Sequence, residues 1–299
     1  MDSFSQEATK VFLYREDGSK VEYNLQAFTF EMRVNGVAIV RFATPKTLHA
    51  LTAVSRQEMF ILLEHCRRDV NVKVVVWTAQ GERAFSSGAS LGGSDKPDIP
   101  EDIFMEYGRR GLTPNLKTDN AFTRESRAFW DFPKPIIGAI NGIAVGGGAN
   151  IALCYFDMVV CSTNAKFKWP FVDIGFTPEL SSSLVLPFVV GPVRAKELIY
   201  TTDWLTAEKA ESWGLINDVV SPVQLLPRTL EIADKLASKP ANQLSISKKV
   251  LNYQLRQKLD EHLLMENEQI QLSINEFGGK DLFKSLRNKK KPKAINSRL

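Results

Sequence analysis

The run from Lys134 to Asn150, KPIIGAINGIAVGGGAN, constrains the fold of this chain more than any other segment. A short apolar strand over Ile136–Ile140 stops at Asn141-Gly142. Three consecutive glycines, Gly146, Gly147 and Gly148, then lead into an apolar helix over residues 149–154. A chain that passes from strand to helix on glycines brings its backbone very close to a neighbour, because no side chain stands between them. The first N–H groups of that helix have no partner within it, so the turn also suits a negative charge on a ligand. Taken alone, the run is equally a tight turn whose glycines serve packing. A choice between the two needs a second segment upstream and a carboxylate downstream.

The upstream segment is Ala84-Phe85-Ser86-Ser87-Gly88-Ala89-Ser90-Leu91, which follows the β-branched run VKVVVWT at residues 72–78. That run reads as a buried parallel strand. On these two stretches the chain resembles the crotonase, or enoyl-CoA hydratase/isomerase, superfamily. The superfamily carries an A-F-(S/C)-x-G-(A/N)-D-like loop followed by a K-P-x-I-A-x-(I/V)-x-G-x-A-x-G-G-G-like turn. Here the pairing spans about residues 34–220 in the right order. The resemblance implies an α/β fold, a crotonase-like spiral of ββα units with parallel sheets and a C-terminal helical region. It also implies a coenzyme A thioester as substrate, with no other cofactor.

The same resemblance assigns the backbone N–H groups of Ala89 and Gly147 to an oxyanion hole. It places Ser86, Ser87, Gly88, Ala89, Ser90 and Leu91, with Gly147, Phe171 and Leu180, around the acyl-CoA. Family hydratases hold one water between two glutamates. At the matching positions this chain has Asn150 and Phe171, so both carboxylates are missing. Peroxisomal Δ3-Δ2-enoyl-CoA isomerases of the family instead place one glutamate in a P-E-G or T-E-G segment, and Pro178-Glu179-Leu180-Ser181-Ser182-Ser183 matches that register. Leu180 stands where glycine is usual, which narrows or reshapes the acyl pocket.

One carboxylate can suffice for isomerisation. A base that reaches both C2 and C4 on one face can remove a proton from the first and return it to the second. Charge that develops on the thioester oxygen is stabilised by preorganised N–H donors. Apolar Phe176, Leu180 and Leu184 around Glu179 are expected to raise its pKa. Without the two flanking motifs, Glu179 would read as a surface loop glutamate. Asp173 is the nearest second carboxylate and equally reads as an exposed or capping residue. Ser90 replaces the family's usual Asp. His49, in Pro45-Lys46-Thr47-Leu48-His49-Ala50-Leu51, replaces an Asn and reads as a hydrogen-bonding structural residue. The serines at 181–183 lack a G-x-S-x-G elbow, and His65 and His262 lack metal-ligand spacing.

Composition excludes little beyond this. The chain has 299 residues, 44% hydrophobic and 24% charged, an ordinary globular balance. No apolar window is long enough for a membrane span, and the first residues are not a secretory signal. Cys66, Cys154 and Cys161 fit reduced thiols. The net charge of +4 owes much to a basic tail, and no nucleic-acid partner is expected. Residues 10–42 read as two hairpins, with a type I′ turn at Asn35-Gly36. Helices are expected at residues 54–68, 103–110, 120–131, 193–200, 225–238 and 243–275, the last with a break or bend, and a helix–strand pair over 206–220. The chain divides into a crotonase-like core over 1–222, a helical oligomerisation region over 223–286 and a flexible basic tail over 287–299. Ser297-Arg298-Leu299 resembles the Ser-Lys-Leu peroxisomal address, which implies an import receptor as partner and the peroxisome as compartment. A homotrimer or a dimer of trimers follows from the resemblance.

The leading expectation is an isomerase that converts 3-enoyl-CoA to trans-2-enoyl-CoA. The alternatives are a hydratase or dehydratase on an unusual acyl-CoA, or a non-catalytic acyl-CoA- or RNA-binding member of the fold.

Overall fold

A computed structural model describes residues 10–90, 99 and 121–275 of the protein. Leu91, the helix expected at 103–110 and the tail with Ser297, Arg298 and Leu299 lie outside the described residues. The chain begins with two antiparallel hairpins, β1 (Lys10–Tyr14) with β2 (Lys20–Asn24) and β3 (Phe28–Met32) with β4 (Val37–Phe42). The second hairpin does not turn as Asn35-Gly36 suggests. Gly36 N–H donates to the Arg33 carbonyl at 3.1 Å, so Val34 and Asn35 form the centre, and only Gly36, at φ +94°, is left-handed. A tertiary contact favours this shape: Asn35 Nδ2 donates to Asp234 Oδ1 at 2.7 Å.

Helix α1 (Ala53–Arg68) starts on a reciprocal cap. Ser55 N–H donates to Thr52 Oγ1 at 3.1 Å, and Thr52 N–H donates to Ser55 Oγ at 2.8 Å. This satisfies two amides that the helix itself leaves open. A repeated unit then builds the rest of the core. Strands β5 (Val74–Ala79), β7 (Ile136–Ile140) and β9 (Met158–Ser162) each enter a six-stranded sheet. Each is followed by a short strand, β6 (Ala84–Ser86), β8 (Ile143–Val145) or β10 (Lys166–Lys168), in a four-stranded sheet. A helix closes each unit: α2 (Ala121–Trp130), α3 (Gly147–Asn150) and α4 (Ser182–Thr201). This is the ββα spiral that the sequence motifs imply. Helix α3 runs on as a π-type turn over Ile151–Tyr155.

The large sheet has the order β12-β9-β7-β5-β4-β3, in which only β3 and β4 pair antiparallel. Both of its faces are buried, which explains why its strands are apolar along their whole length. Val37, Ile39, Val74, Val76 and Ile137 face helix α6. Ala38, Val40, Val75, Trp77 and Ile136 face the main core. The chain completes this arrangement with β11 (Leu205–Thr206), α5 (Ala207–Ser212), β12 (Asp218–Val220) and α6 (Pro222–Ala237). Two further helices, α7 (Ala241–Leu251) and α8 (Tyr253–Asn275), follow, and α8 packs on α2 and α4.

Helix α4 is longer than the 193–200 segment expected from sequence. Gly191, at φ +79°, breaks it, and Pro192 restarts it. A proline is well suited to a first helical position. Pro187 and Pro192 hide one kinked helix whose N-terminus reaches back to Ser182, three residues beyond Glu179.

Candidate active site

Parallel pairing of β6 with β8 brings the two motif loops together, with Ala84 opposite Ile143 and Ser86 opposite Ala144. The contact is too close for side chains. A Cβ on Gly88, at φ +81°, would stand 2.4 Å from the Val145 carbonyl oxygen and 3.7 Å from Gly147 N. A Cβ on Gly148 would stand 2.7 Å from the Ser86 carbonyl oxygen. Ala89 is tied to Leu51 by an isolated parallel bridge, in which Leu51 N–H donates to Gly88 O and Ser90 N–H to Leu51 O. The Ala89 amide is not used in that bridge. Gly147 is the first residue of α3, where a helix leaves its amides without internal partners. Two N–H groups on adjacent backbones can therefore donate to the same ligand oxygen.

The loop serines have structural roles. Ser86, expected among the substrate contacts, is instead fully buried; its Oγ donates to the His49 carbonyl at 2.8 Å and accepts from Gly88 N–H at 3.2 Å. Ser87 Oγ donates to the Thr47 carbonyl at 3.3 Å. His49 is a strut, as its sequence context suggests. Its Nδ1 accepts from Thr44 N–H at 3.1 Å, which leaves Nε2 to donate to the Gln80 carbonyl at 3.0 Å. Burial pushes its pKa below the ordinary histidine value, so it stays neutral.

Glu179 faces this loop pair. Its Oε1 stands 3.6 Å from where a Cβ on Gly147 would be. Leu180 packs on the same spot, its Cδ1 3.3 Å away. Only 9% of Glu179 is exposed, and its carboxylate receives no hydrogen bond among the described residues. Its backbone, by contrast, is held firmly. The Glu179 carbonyl accepts from Asn150 Nδ2 at 2.8 Å, Ser182 Oγ at 2.7 Å and Ser182 N–H at 3.1 Å. Asn150 Oδ1 in turn accepts from Trp169 Nε1 at 2.8 Å. Where a hydratase would have its first glutamate, this chain has a buried amide that supports the backbone of Glu179. Phe171 is 4% exposed and lies 3.9 Å from the Cβ position of Gly146, against the glycine turn.

Burial pushes the Glu179 pKa up to about 7. Arg56 opposes that rise, and Glu125 and Glu266 add to it by like-charge repulsion. Arg56 and Glu125 form a buried ion pair between α1 and α2, and Glu125 Oε1 has no hydrogen-bond partner among the described residues. Glu266, on α8, accepts from Ser181 N–H and Ser183 N–H, each at 3.0 Å. A carboxyl group that titrates near neutrality, beside two amide donors, can take up and release a carbon-bound proton.

Asp173 lies apart from these groups. Its side chain is 56% exposed and accepts from Thr202 Oγ1 at 2.7 Å. Arg56, Glu125 and Glu266 escape the sequence reading because they come from helices far apart in the chain. Glu266 did leave a trace. It falls on the buried stripe Leu259, Leu263, Ile270, where a charge needs a partner.

Among the described residues no group of three His, Cys, Asp or Glu converges as metal ligands would. The sequence matches the family model described as enoyl-CoA hydratase/isomerase over residues 32–293. It is 30% identical to the short-chain-enoyl-CoA hydratase of Clostridium acetobutylicum over 262 residues, covering 88% of this chain and 95% of that protein. It is 31% identical to the crotonyl-CoA hydratase of Syntrophomonas wolfei, covering 77% and 83%. The crystal structure of an enoyl-CoA hydratase/isomerase from Pseudoalteromonas atlantica superposes with a TM-score of 0.75 at 26% identity, covering 90% of this chain and 99% of that one. The glycine-lined loop pair, the spiral that presents it and these likenesses agree: the chain belongs to the enoyl-CoA hydratase/isomerase family, the crotonase superfamily.

Proposed function

We propose that the protein isomerises 3-enoyl-CoA to trans-2-enoyl-CoA with Glu179 as its single acid–base group. One observation carries this reading. The unbonded carboxylate of Glu179 lies beside Gly147, while Asn150 and Phe171 occupy the two positions where family hydratases have glutamates. In the reaction, Glu179 takes a proton from C2 as that C–H electron pair moves toward the thioester carbonyl. The resulting dienolate carries its charge on the thioester oxygen, between the amides of Ala89 and Gly147. Electrons then shift back through C2=C3, C4 takes the proton from the Glu179 carboxylic acid, and the carboxylate is restored. Each oxyanion donor is worth on the order of 3 kcal/mol of barrier. Phe171 keeps that side of the site dry, which suits a shuttle that needs no water.

Replacing Glu179 with Gln keeps the shape and removes the base. Isomerase turnover of E179Q is expected to fall by at least about 10²-fold, with acyl-CoA affinity largely kept. Turnover near wild type in this variant would move the base elsewhere.

A second reading, hydration of a 2-enoyl-CoA, is favoured by the names of the relatives above. It requires a second group to hold water opposite Glu179; among the described residues Glu125, whose Oε1 has no hydrogen-bond partner there, is a candidate. We further propose the peroxisome as compartment, from Ser297-Arg298-Leu299. An N-terminal fluorescent fusion should be punctate, and removal of the tripeptide should leave it diffuse; puncta that persist would refute that address.

A further inference from the structure

We infer that Glu266, carried by the C-terminal helix α8, is a positioning residue for Glu179, because its carboxylate clamps the left-handed turn on which Glu179 stands. The inference rests on Glu179 being the base. The turn is costly on its own. Leu180 and Ser181 are consecutive left-handed residues, at φ +55° and +65°, and neither is a glycine. Such a conformation persists only where its surroundings over-determine it.

The first turn of α4 also lacks a local cap. Ser181 is the N-cap residue, yet its Oγ points back and donates to the Leu180 carbonyl at 2.6 Å. Glu266 supplies what is missing. Its Oε2 accepts from Ser181 N–H and its Oε1 from Ser183 N–H, each at 3.0 Å, so one carboxylate spans the open amides of the turn. An anion at a helix N-terminus is favoured by the helix dipole. A second tie lies one turn earlier on α8, where His262 Nδ1 meets Ser183 Oγ at 3.2 Å. Because the Glu179 carbonyl accepts from Ser182, a shift of this turn moves Glu179 with it.

Glu266 also acts through its charge. The groups that face Glu179 are Arg56 from α1, Glu125 from α2 and Glu266 from α8. Cys154 and Tyr155, on the π-type turn, lie in the same buried field as neutral groups, since burial pushes both pKa values up. Two of these are like charges that push the Glu179 pKa up, Glu125 first and Glu266 after it, and Glu266 does so from the turn that Glu179 stands on. Loss of its charge therefore favours an ionised Glu179 and lowers the pH at which it titrates.

The test uses the full-length protein with E266Q and E266D. Turnover and KM for an enoyl-CoA are measured across pH. Glu179 is titrated directly by infrared difference spectroscopy, its carboxyl band assigned by loss in E179Q. E266Q should lower kcat by about 10-fold or more with KM changed by less than about 2-fold, because a loosened turn misplaces the base. It should also move the Glu179 titration to lower pH. E266D keeps the charge but is too short to span both amides, so it should lower kcat while leaving the titration near wild type. If E266Q does not fold, E266D carries the test, and wild-type kcat in it overturns the inference. In folded E266Q, an unmoved titration with kcat within about 2-fold of wild type overturns it as well. The infrared titration does not depend on which reaction runs. If the wild type only hydrates, the isomerase reading fails while the E266Q shift still decides the role of Glu266.

Discussion

Glu179 is buried at a cost to the fold. Its pKa rises from an ordinary 4.5 to about 7 because burial disfavours the charged form. The folded state thus binds its proton more tightly than the unfolded chain does. The stabilising effect of that proton is complete below pH 4.5 and is lost as pH rises through about 7. Above that point the ionised base strains the fold by up to on the order of 3 kcal/mol. E179Q, which never ionises, should therefore melt at a higher temperature than wild type at pH 8, and the difference should shrink toward pH 4 to 5. Equal melting temperatures at both ends would show that Glu179 is not desolvated. Activity should run the opposite way in pH, rising through about 7 as the base is freed. The meeting of Glu179 with the two motif loops was legible in the sequence because each sits in a short local pattern. Arg56, Glu125 and Glu266 were not, because only the packing of α1, α2 and α8 brings them near Glu179.

At the scale of elements, the two glycine loops have separable tasks, which alanine substitution distinguishes. A methyl at Gly88 would meet the Val145 carbonyl oxygen at 2.4 Å, on a backbone at φ +81°. G88A should destabilise the protein by more than about 2 kcal/mol, since neither strand can yield. A methyl at Gly147 would meet only the side-chain ends of Leu51 at 3.1 Å and Leu180 at 3.3 Å, which can move. It would, however, stand 3.6 Å from the Glu179 carboxylate. G147A should keep stability within about 1 kcal/mol and lose at least about 10-fold in turnover. Thermal melts and steady-state kinetics on both variants check this, and the reverse pattern would mean the loops are misassigned. The strands of the large sheet were readable because both faces are buried and their apolar runs are unbroken. The start of α4 was not. Its cap comes from Glu266, about eighty residues on, and no local residue signals it.

The whole molecule leaves apolar side chains on its outer helices. Val193 and Tyr200 on α4, and Val250 and Leu251 on α7, are 67–81% exposed. We propose that subunits meet through such side chains in a homotrimer or a dimer of trimers. Sedimentation should give a multiple of the 33.5 kDa chain, with L251D shifting it downward. A monomeric wild type would contradict the proposal.

The central claim is that one carboxylate, with Asn150 and Phe171 where hydratases have their two glutamates, makes this site an isomerase. Product identity tests it most directly. Purified protein is given 3-enoyl-CoA and trans-2-enoyl-CoA of several chain lengths in parallel, and products are separated and weighed. The account predicts that trans-2-enoyl-CoA forms from the first substrate far faster than 3-hydroxyacyl-CoA forms from the second. Rapid build-up of 3-hydroxyacyl-CoA would contradict it and would point to Glu179 with Glu125 as a pair that activates water.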